Sequence, residues 1–538
     1  MRKKLGAYFI LSIFAFILVV SCNKNSSNVS TSDDSIVISL GGEVNTIDPH
    51  LNTASAGTVY IRYFFEGLTK KDKDGSIVGG VANSWNVSDD GLTYTFYLRT
   101  NAKWSDGKAV VADDFVYSYR RYVDPAVAAS YGRLLKPIKN ALDIIQSKKP
   151  VEELGIKKID DYTLEITLEN PTAYFLELAN IYLPVRKDII EKYGDSWTSS
   201  PESYIGNGVY KMKERRRDEK IVMELNTNYY DTDSIVAKNI TVSMIADKNA
   251  ALIGVRNGDI HFSTLVPTQE IDALQNEGLI VMNQALGTVF FEINLTNSTF
   301  TNSKVRKALA LAIDRNYIVN TVNKASQLPA GAFVPPLIKD YDGKTDFRTI
   351  GGDYISTKPE DYHYNIEEAK KLLAEAGYPN GEGLPVIEVM VANDGNVVMV
   401  EAIQEMWKNI GVNATIVPRE WSVILQSFRD LSYQVILSGW TGDYNDPMTM
   451  LDLYLSFAKS NPGYVNKEYD DLLYLAEQTV DPKERMDILH KAEAILMNDM
   501  PIIPIHYRTN PIMISKKLKN YTLDPLAKYR FDYAYLDK

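Results

Sequence analysis

Tyr433-Gln-Val-Ile-Leu437 and the run behind it, Ser438-Gly-Trp-Thr-Gly-Asp-Tyr-Asn-Asp-Pro447, carry most of the information in this chain. Apart from Gln434, the first five residues are apolar or aromatic and β-favouring, which predicts a strand. Two glycines, an Asn-Asp pair and a proline then predict a loop over Gly439–Pro447. A loop at the carboxyl end of a strand is where open α/β sheets bind ligands. This loop offers the carboxylate of Asp443, which suits a ligand ammonium group. A loop-capping role for Asp443 is the alternative.

The surroundings read as mixed α/β. Leu92, Tyr94, Phe96 and Leu98 alternate onto one face, as do Leu164, Ile166 and Leu168, so both runs predict strands. Further strands are expected at 36–40, 221–225, 240–244, 386–391 and 412–417. Helices alternate with them. One is expected to start at a capping box, Asn365 to Glu368, and to end at Gly377. A second spans Val400–Ile410 with Gly411 as its stop. A third is capped by Ser303, and a fourth covers Asp113–Tyr122.

Arg2, Lys3 and Lys4 precede an apolar run from Leu5 to Val20, too short for a membrane span of about 20 residues. It reads as a secretory signal peptide over residues 1–21. Val19-Val20-Ser21-Cys22 matches a lipobox, so Cys22 is the expected lipidation site. Residues 22–35 are rich in Ser, Asn and Asp and read as a flexible tether. Cys22 is the only cysteine, which excludes disulfides within the chain.

The 538 residues contain 58 basic and 69 acidic side chains, a net charge of −11. Cleavage before Cys22 would remove three bases and no acids, leaving 55 against 69, or −14. That balance argues against nucleic acid and anionic membrane surfaces as partners. The membrane is expected to be reached through the lipid alone. Hydrolase chemistry finds little support. The single cysteine is committed to lipid, and the five histidines (His50, His261, His363, His490 and His506) form no zinc-binding spacing. There is no G-x-S-x-G and no P-loop. Asp443, Asp446 and Asp452 do not fit the calcium-loop spacing. No catalytic residue, metal or cofactor is expected.

Several segments, taken in order, resemble the oligopeptide-binding subunits of bacterial ABC transporters, within the peptide/nickel class of solute-binding proteins. They are Glu43-Val-Asn-Thr-Ile-Asp-Pro-His50, Phe64-Phe-Glu-Gly-Leu68, Phe96 through Trp104-Ser-Asp-Gly107, Asp113-Asp-Phe-Val-Tyr-Ser-Tyr-Arg-Arg121 with Asp124-Pro125, Asn207-Gly-Val-Tyr210, Lys304-Val-Arg-Lys-Ala-Leu309 with Ile313-Asp-Arg315, Ala369 through Tyr378, and Gly439-Trp440 through Asp443-Tyr444. The resemblance implies a periplasmic-binding-protein-like α/β fold: two hinged lobes around a cleft, plus a smaller extra domain. Domain I would comprise 30–65, 186–292 and 510–538, domain II 66–185, and domain III 294–509. Domains I and III would close on the ligand.

It also implies a function. A lipid-anchored, extracytoplasmic, monomeric receptor would capture oligopeptides in the periplasm or at the cell surface. It would deliver them to the permease and ATPase subunits of an importer. Asp443 falls where the family holds the peptide ammonium. Gly439 and Thr441 would offer backbone groups on one side of the peptide, and Thr53, Ala54 and Ser55 on the other. Tyr131, Trp421, Trp440 and Tyr507 would be cleft aromatics. Tyrosine outnumbers phenylalanine 34 to 17, which suits partly wet walls.

Two positions depart from the pattern. Relatives that bind short peptides carry an arginine near the ligand carboxylate where this chain has Leu437, so ligand length is expected to be loosely specified. His506-Tyr507-Arg508 replaces a tyrosine run, which makes Arg508 a candidate substitute cation. Within the same fold the ligand could instead be a dipeptide, nickel chelate, heme or sugar. A secreted hydrolase or a host-contact adhesin is the reading from a different class.

Overall fold

Ile280–Ile293 is a 14-residue strand, and it pairs antiparallel with another long strand, Ile502–Ile514. Both are rich in β-branched and aromatic residues, which fit a pleated, buried surface. The computed structural model describes residues 35–393, 396–458 and 461–537. The expected signal peptide, Cys22 and the tether to residue 34 lie outside the described residues.

The two long strands hold together an 11-stranded mixed sheet. On one side lie Val435–Thr441, Ile387–Ala392 and the edge strand Ala414–Arg419. On the other lie Phe262–Ser263, Ser35–Ser39, Asn239–Ser243, Lys220–Leu225 and Tyr210–Arg216, and the short strand Leu328–Pro329 pairs with Ile502–Ile514 off this path. The ladder between the long strands is interrupted midway. Gln284 pairs with Thr509 and Thr288 pairs with Tyr507, so Ala285, Leu286 and Gly287 face the single residue Arg508. Such a bulge bends a strand and raises its twist. Here it divides the sheet into two halves joined by the same two strands.

A separate four-stranded antiparallel sheet is ordered Ala82–Val87, Thr93–Leu98, Thr163–Thr167, Ile156–Asp160. Its alternation is as expected: Tyr94, Phe96 and Leu98 are buried, as are Leu164 and Ile166. Helix boundaries shift slightly. The helix expected to start at Asn365 begins at Tyr362, because a 3-10 turn, Pro359–Asp361, already sets its first residues. Asn365 then sits inside the helix and donates to the Ser356 carbonyl (3.1 Å). Asn302, not Ser303, caps Ser303–Leu311, accepting from the Lys304 amide. Gly377 and Gly411 lie at φ +94° and +84°, where a side chain would be strained.

Most of the sequence motifs are joints of this scaffold. Buried Asp48 takes a two-pronged bond from Arg121 (2.8 and 3.2 Å) and bonds from Trp197 Nε1 and the His50 amide. The His50 ring stacks on Tyr122, and burial pushes it down to about 3, so it is neutral. Asp114 accepts from Trp104 Nε1 and caps its own helix at the Val111 amide. Asn207 bonds both backbone groups of Glu66, while Tyr229 and Tyr230 donate to the Glu66 carboxylate. Paired and hydrogen-bonded charges of this kind are the form in which charge can be buried.

Candidate functional site

The Val435–Thr441 strand continues four residues past the expected end at Leu437. Gly439, Trp440 and Thr441 are therefore strand residues, and the loop begins only at Gly442. Gly439 explains the difference. A Cβ there would lie 2.3 Å from Nη2 of Arg508, so the glycine marks a close approach rather than a turn.

On one edge, this strand pairs with Ile280–Ile293 along its whole length, Val435 to Thr441. On its other edge, Ile387–Ala392 covers only Val435 and Ile436. From Leu437 to Thr441 no strand is paired on that edge among the described residues. An unpaired edge presents a row of backbone donors and acceptors.

The uncovered edge runs between two cavities. The smaller, about 180 Å³, is lined by Thr441, Asp443, Ser55, Tyr131 and Lys528 among others. The larger, about 600 Å³, is lined by Leu437, Gly439, Trp421, His506 and Arg508 among others.

Asp443 is the acid its loop leaves available. Asp446 is locked to Arg485 by two bonds (2.7 and 2.9 Å), and Asp452 to Lys136 (2.9 Å). The nearest cation to the Asp443 carboxylate is Arg133 at 3.7 Å, which is 52% exposed. The Asp443 amide donates to Thr449 Oγ1, and its carbonyl accepts from Lys528 Nζ. Burial raises the carboxyl's pKa, while Arg133 and Lys528 oppose that rise. Lys528 is pushed down to about 7, first by burial and then by Arg62. An incoming ammonium therefore meets a poorly solvated carboxylate and one lysine that is partly neutral at pH 7.

The expected site residues separate into groups. Asp443, Thr441, Ser55 and Tyr131 meet in the smaller cavity, and Gly439 and Trp421 in the larger. Trp421 is 58% exposed there. Trp440 is half-buried against the core, its Nε1 without a partner and its ring 6.0 Å from the Arg133 guanidinium. Three residues sit differently from expectation. The Ala54 carbonyl already accepts from Asn52 Nδ2 and from the Thr58 amide and hydroxyl, and its amide bonds Asn52. Thr53 is exposed and lines neither cavity. Tyr507 is buried, with its hydroxyl donating to Ala332 (3.3 Å). It alternates with Arg508 along the strand, so the two face opposite sides of the sheet. Arg133, Lys528 and Arg62 were not expected at the site. Arg133 lies two residues from Tyr131, which was the one available hint.

The bacterial extracellular solute-binding proteins, family 5 Middle, match residues 76–462 of this chain. A periplasmic oligopeptide-binding protein OppA from Salmonella typhimurium is 33% identical over 552 residues, covering 100% of this chain and 99% of that protein. Among solved structures, the murein tripeptide binding protein MppA of Escherichia coli is 31% identical with a TM-score of 0.79, covering 94% of this chain and 99% of its own. Haemophilus influenzae OppA in complex with RPPGFSPFR is 31% identical with a TM-score of 0.76, again covering 94% and 99%. A family match over more than half of the chain, with relatives this similar along its length, places this chain among the bacterial extracellular solute-binding proteins of family 5, which are binding proteins and not enzymes.

Proposed function

We propose that the protein captures oligopeptides outside the cytoplasm and passes them to the permease and ATPase subunits of an ABC importer. The observation that carries this reading is the uncovered Leu437–Thr441 edge, which leads to the Asp443 carboxylate. A peptide added there as a strand gains main-chain hydrogen bonds that do not depend on its side chains. Its ammonium would replace Arg133 as the partner of Asp443, in a charge-assisted hydrogen bond. Gly439 and Thr441 supply strand backbone, Ser55 and Tyr131 wall the ammonium end, and Trp421 and Trp440 flank the edge. Relatives named for a murein tripeptide and solved with RPPGFSPFR fit a scaffold that accepts different lengths.

The reading includes two lobes that close. Domain I takes residues 30–65, 186–292 and 510–538, domain III takes 294–509, and domain II is the additional lobe at 66–185. The bulge opposite Arg508 is where the two crossing strands can flex. It also includes a lipid on Cys22 after cleavage of residues 1–21, a tether to residue 35, and action as a monomer.

Native mass spectrometry of the purified protein tests the ligand class. Co-purifying peptides, released on denaturation, are the expected result. A protein that carries no peptide, and gives no heat on mixing with a peptide library, would overturn the reading. Replacing Cys22 with Ala should release the protein from the membrane fraction or block processing. A Cys22→Ala protein that stays membrane-bound and correctly cleaved would remove the lipid from it.

A further inference from the structure

Behind the wall of the Asp443 cavity lies a smaller one, of about 70 Å³. The two share Arg62, Leu183 and Lys528. Neither Asp443 nor any residue of the Val435–Thr441 strand lines the smaller space, so it stands apart from the strand edge. Three of its lining cations are paired: Lys70 with Glu66, Lys71 with Glu177 (3.3 Å) and Arg530 with Asp532. Arg62 and Lys528 have no acid within ion-pair distance among the described residues. Burial lowers the pKa of both, and Asp524 and Glu177 offset only part of that. Asp524 lines the cavity too, but its carboxylate accepts from the Leu526 amide (2.6 Å). Two cations held this deep without a counter-charge are costly.

The hydrogen bonds are lopsided in the same sense. Arg62 Nη1 donates to Asn180 Oδ1 (3.0 Å), the one bond its guanidinium makes among the described residues, although it carries five N–H donors. Its Nε is buried with no partner. The bond from Arg62 also fixes which end of the Asn180 amide is oxygen. The other end, Nδ2, is a donor buried without a partner, on a side chain only 4% exposed. Lys528 Nζ has one bond, the 3.3 Å contact with the Asp443 carbonyl. Among the described side chains that line this cavity, the buried polar atoms without partners are thus both donors. Water brings as many donors as acceptors. An anion brings acceptors alone, together with the missing negative charge.

We propose that this cavity binds a small inorganic anion of the chloride class, held by Arg62, Asn180 and Lys528. A water needs about 10–15 Å³ of such space, so the cavity admits one small ion with a few waters and no peptide. The three residues come from the helix Ser55–Phe64, the helix Phe175–Ile181 and the C-terminal segment. A shared anion ties these distant parts of the chain together, whatever ligand the cleft takes. The half-neutral Lys528 is the anion-free condition, and a bound anion moves its titration to higher pH.

The test uses the purified protein without peptide. Chloride is titrated against gluconate at constant ionic strength while thermal unfolding is followed. Once the site begins to fill, the wild-type midpoint should rise by about 1 °C per tenfold increase in chloride. Crystals grown in bromide should show an anomalous peak in this cavity. Asn180→Asp places a carboxylate beside Arg62 in nearly the same shape, and should abolish both the peak and the chloride dependence. Lys528→Met, which removes a cation without adding an acid, should raise the chloride concentration needed at least tenfold. A bromide peak with a midpoint indifferent to chloride is an adventitious ion only, and overturns the proposal. So does a cavity that holds only water in bromide crystals, a result that needs no variant to fold. A chloride effect that survives in both variants places the ion elsewhere and overturns it too. None of these readouts depends on peptide binding.

Discussion

At one end of the uncovered strand edge, Asp443 sits in a cavity of about 180 Å³ among cations: Arg133 at 3.7 Å, Lys528 on its carbonyl, and Arg62 in the same wall. At the other end, Arg508 stands without an acid in about 600 Å³. The first end is small and surrounded by charges that adjust one carboxylate. The second is roomy and holds one charge. A ligand would therefore be registered from its amino end, with the remainder free to vary in bulk. Main-chain pairing supplies affinity between the two ends, and partly hydrated walls can tolerate different side chains.

The largest effect expected is on a neighbour of Asp443 that resembles it in sequence and differs from it in role. Asp446 is buried and doubly bonded to Arg485, and removing one partner of such a pair costs about 3–5 kcal/mol. Asp446→Ala should lower the denaturation midpoint sharply by calorimetry. Asp443→Asn should leave the folding free energy within about 1 kcal/mol of wild type, as its cation is half-exposed. Equal destabilisation by the two would mean that Asp443 is also a structural residue.

Asp443→Asn should instead weaken free-amine peptides by about 2–5 kcal/mol. N-acetylation of the peptide should cost wild type a similar amount. The two losses should not add, since each removes the same contact. Additive losses in titration calorimetry would place the ammonium elsewhere.

These contrasts separate what the sequence carried from what it did not. The mixed α/β fold was legible because strands such as Thr93–Leu98 bury alternate residues and helices end at glycines such as Gly377. Asp443 was legible as an acid in a glycine-rich segment. The length of the Val435–Thr441 strand was not, because Gly439 reads locally as a turn. It is a glycine for a distant reason, the side chain of a residue 69 positions later. Lys528 and Arg133 reach the site only through tertiary folding, and only the nearness of Arg133 to Tyr131 in sequence hinted at either. Tyr507 and Arg508 could have been separated by strand alternation alone, since adjacent residues cannot share a face.

A smaller effect should follow pH. Lys528 is pushed from its ordinary 10.5 to about 7 by burial, reinforced by Arg62 and Lys71, while Asp524 and Glu177 oppose the shift. Its folded value lies below its unfolded one, so folding is penalised progressively as pH falls from about 10 to about 7, and no further below that. Binding follows the same proton. Below about pH 7 the lysine is charged beside the proposed ammonium position, and affinity should fall severalfold toward pH 6. Lys528→Met should flatten that arm in calorimetry between pH 6 and 8. A wild-type affinity that rises on acidification would contradict it.

The smallest effect concerns Arg133, the cation an incoming ammonium must displace or share. Its pair with Asp443 is long and its side chain half-exposed, so the contact is worth no more than about 1 kcal/mol and is screened by salt. Arg133→Gln should tighten free-amine peptides by less than about 1 kcal/mol at low ionic strength, with the gain fading at high salt. N-acetylated peptides should gain nothing, because they bring no charge to compete for the carboxylate. The Arg133 guanidinium also stands 6.0 Å from the Trp440 ring, a contact of similar worth that needs no acid. If that contact dominates, the variant weakens both kinds of peptide equally and independently of Asp443. Affinities of the Arg133→Gln and Asp443→Asn single and double variants, measured at two salt concentrations, decide between the two. A gain that vanishes in the Asp443→Asn background marks competition at the carboxylate, and a loss that persists there assigns Arg133 to the wall.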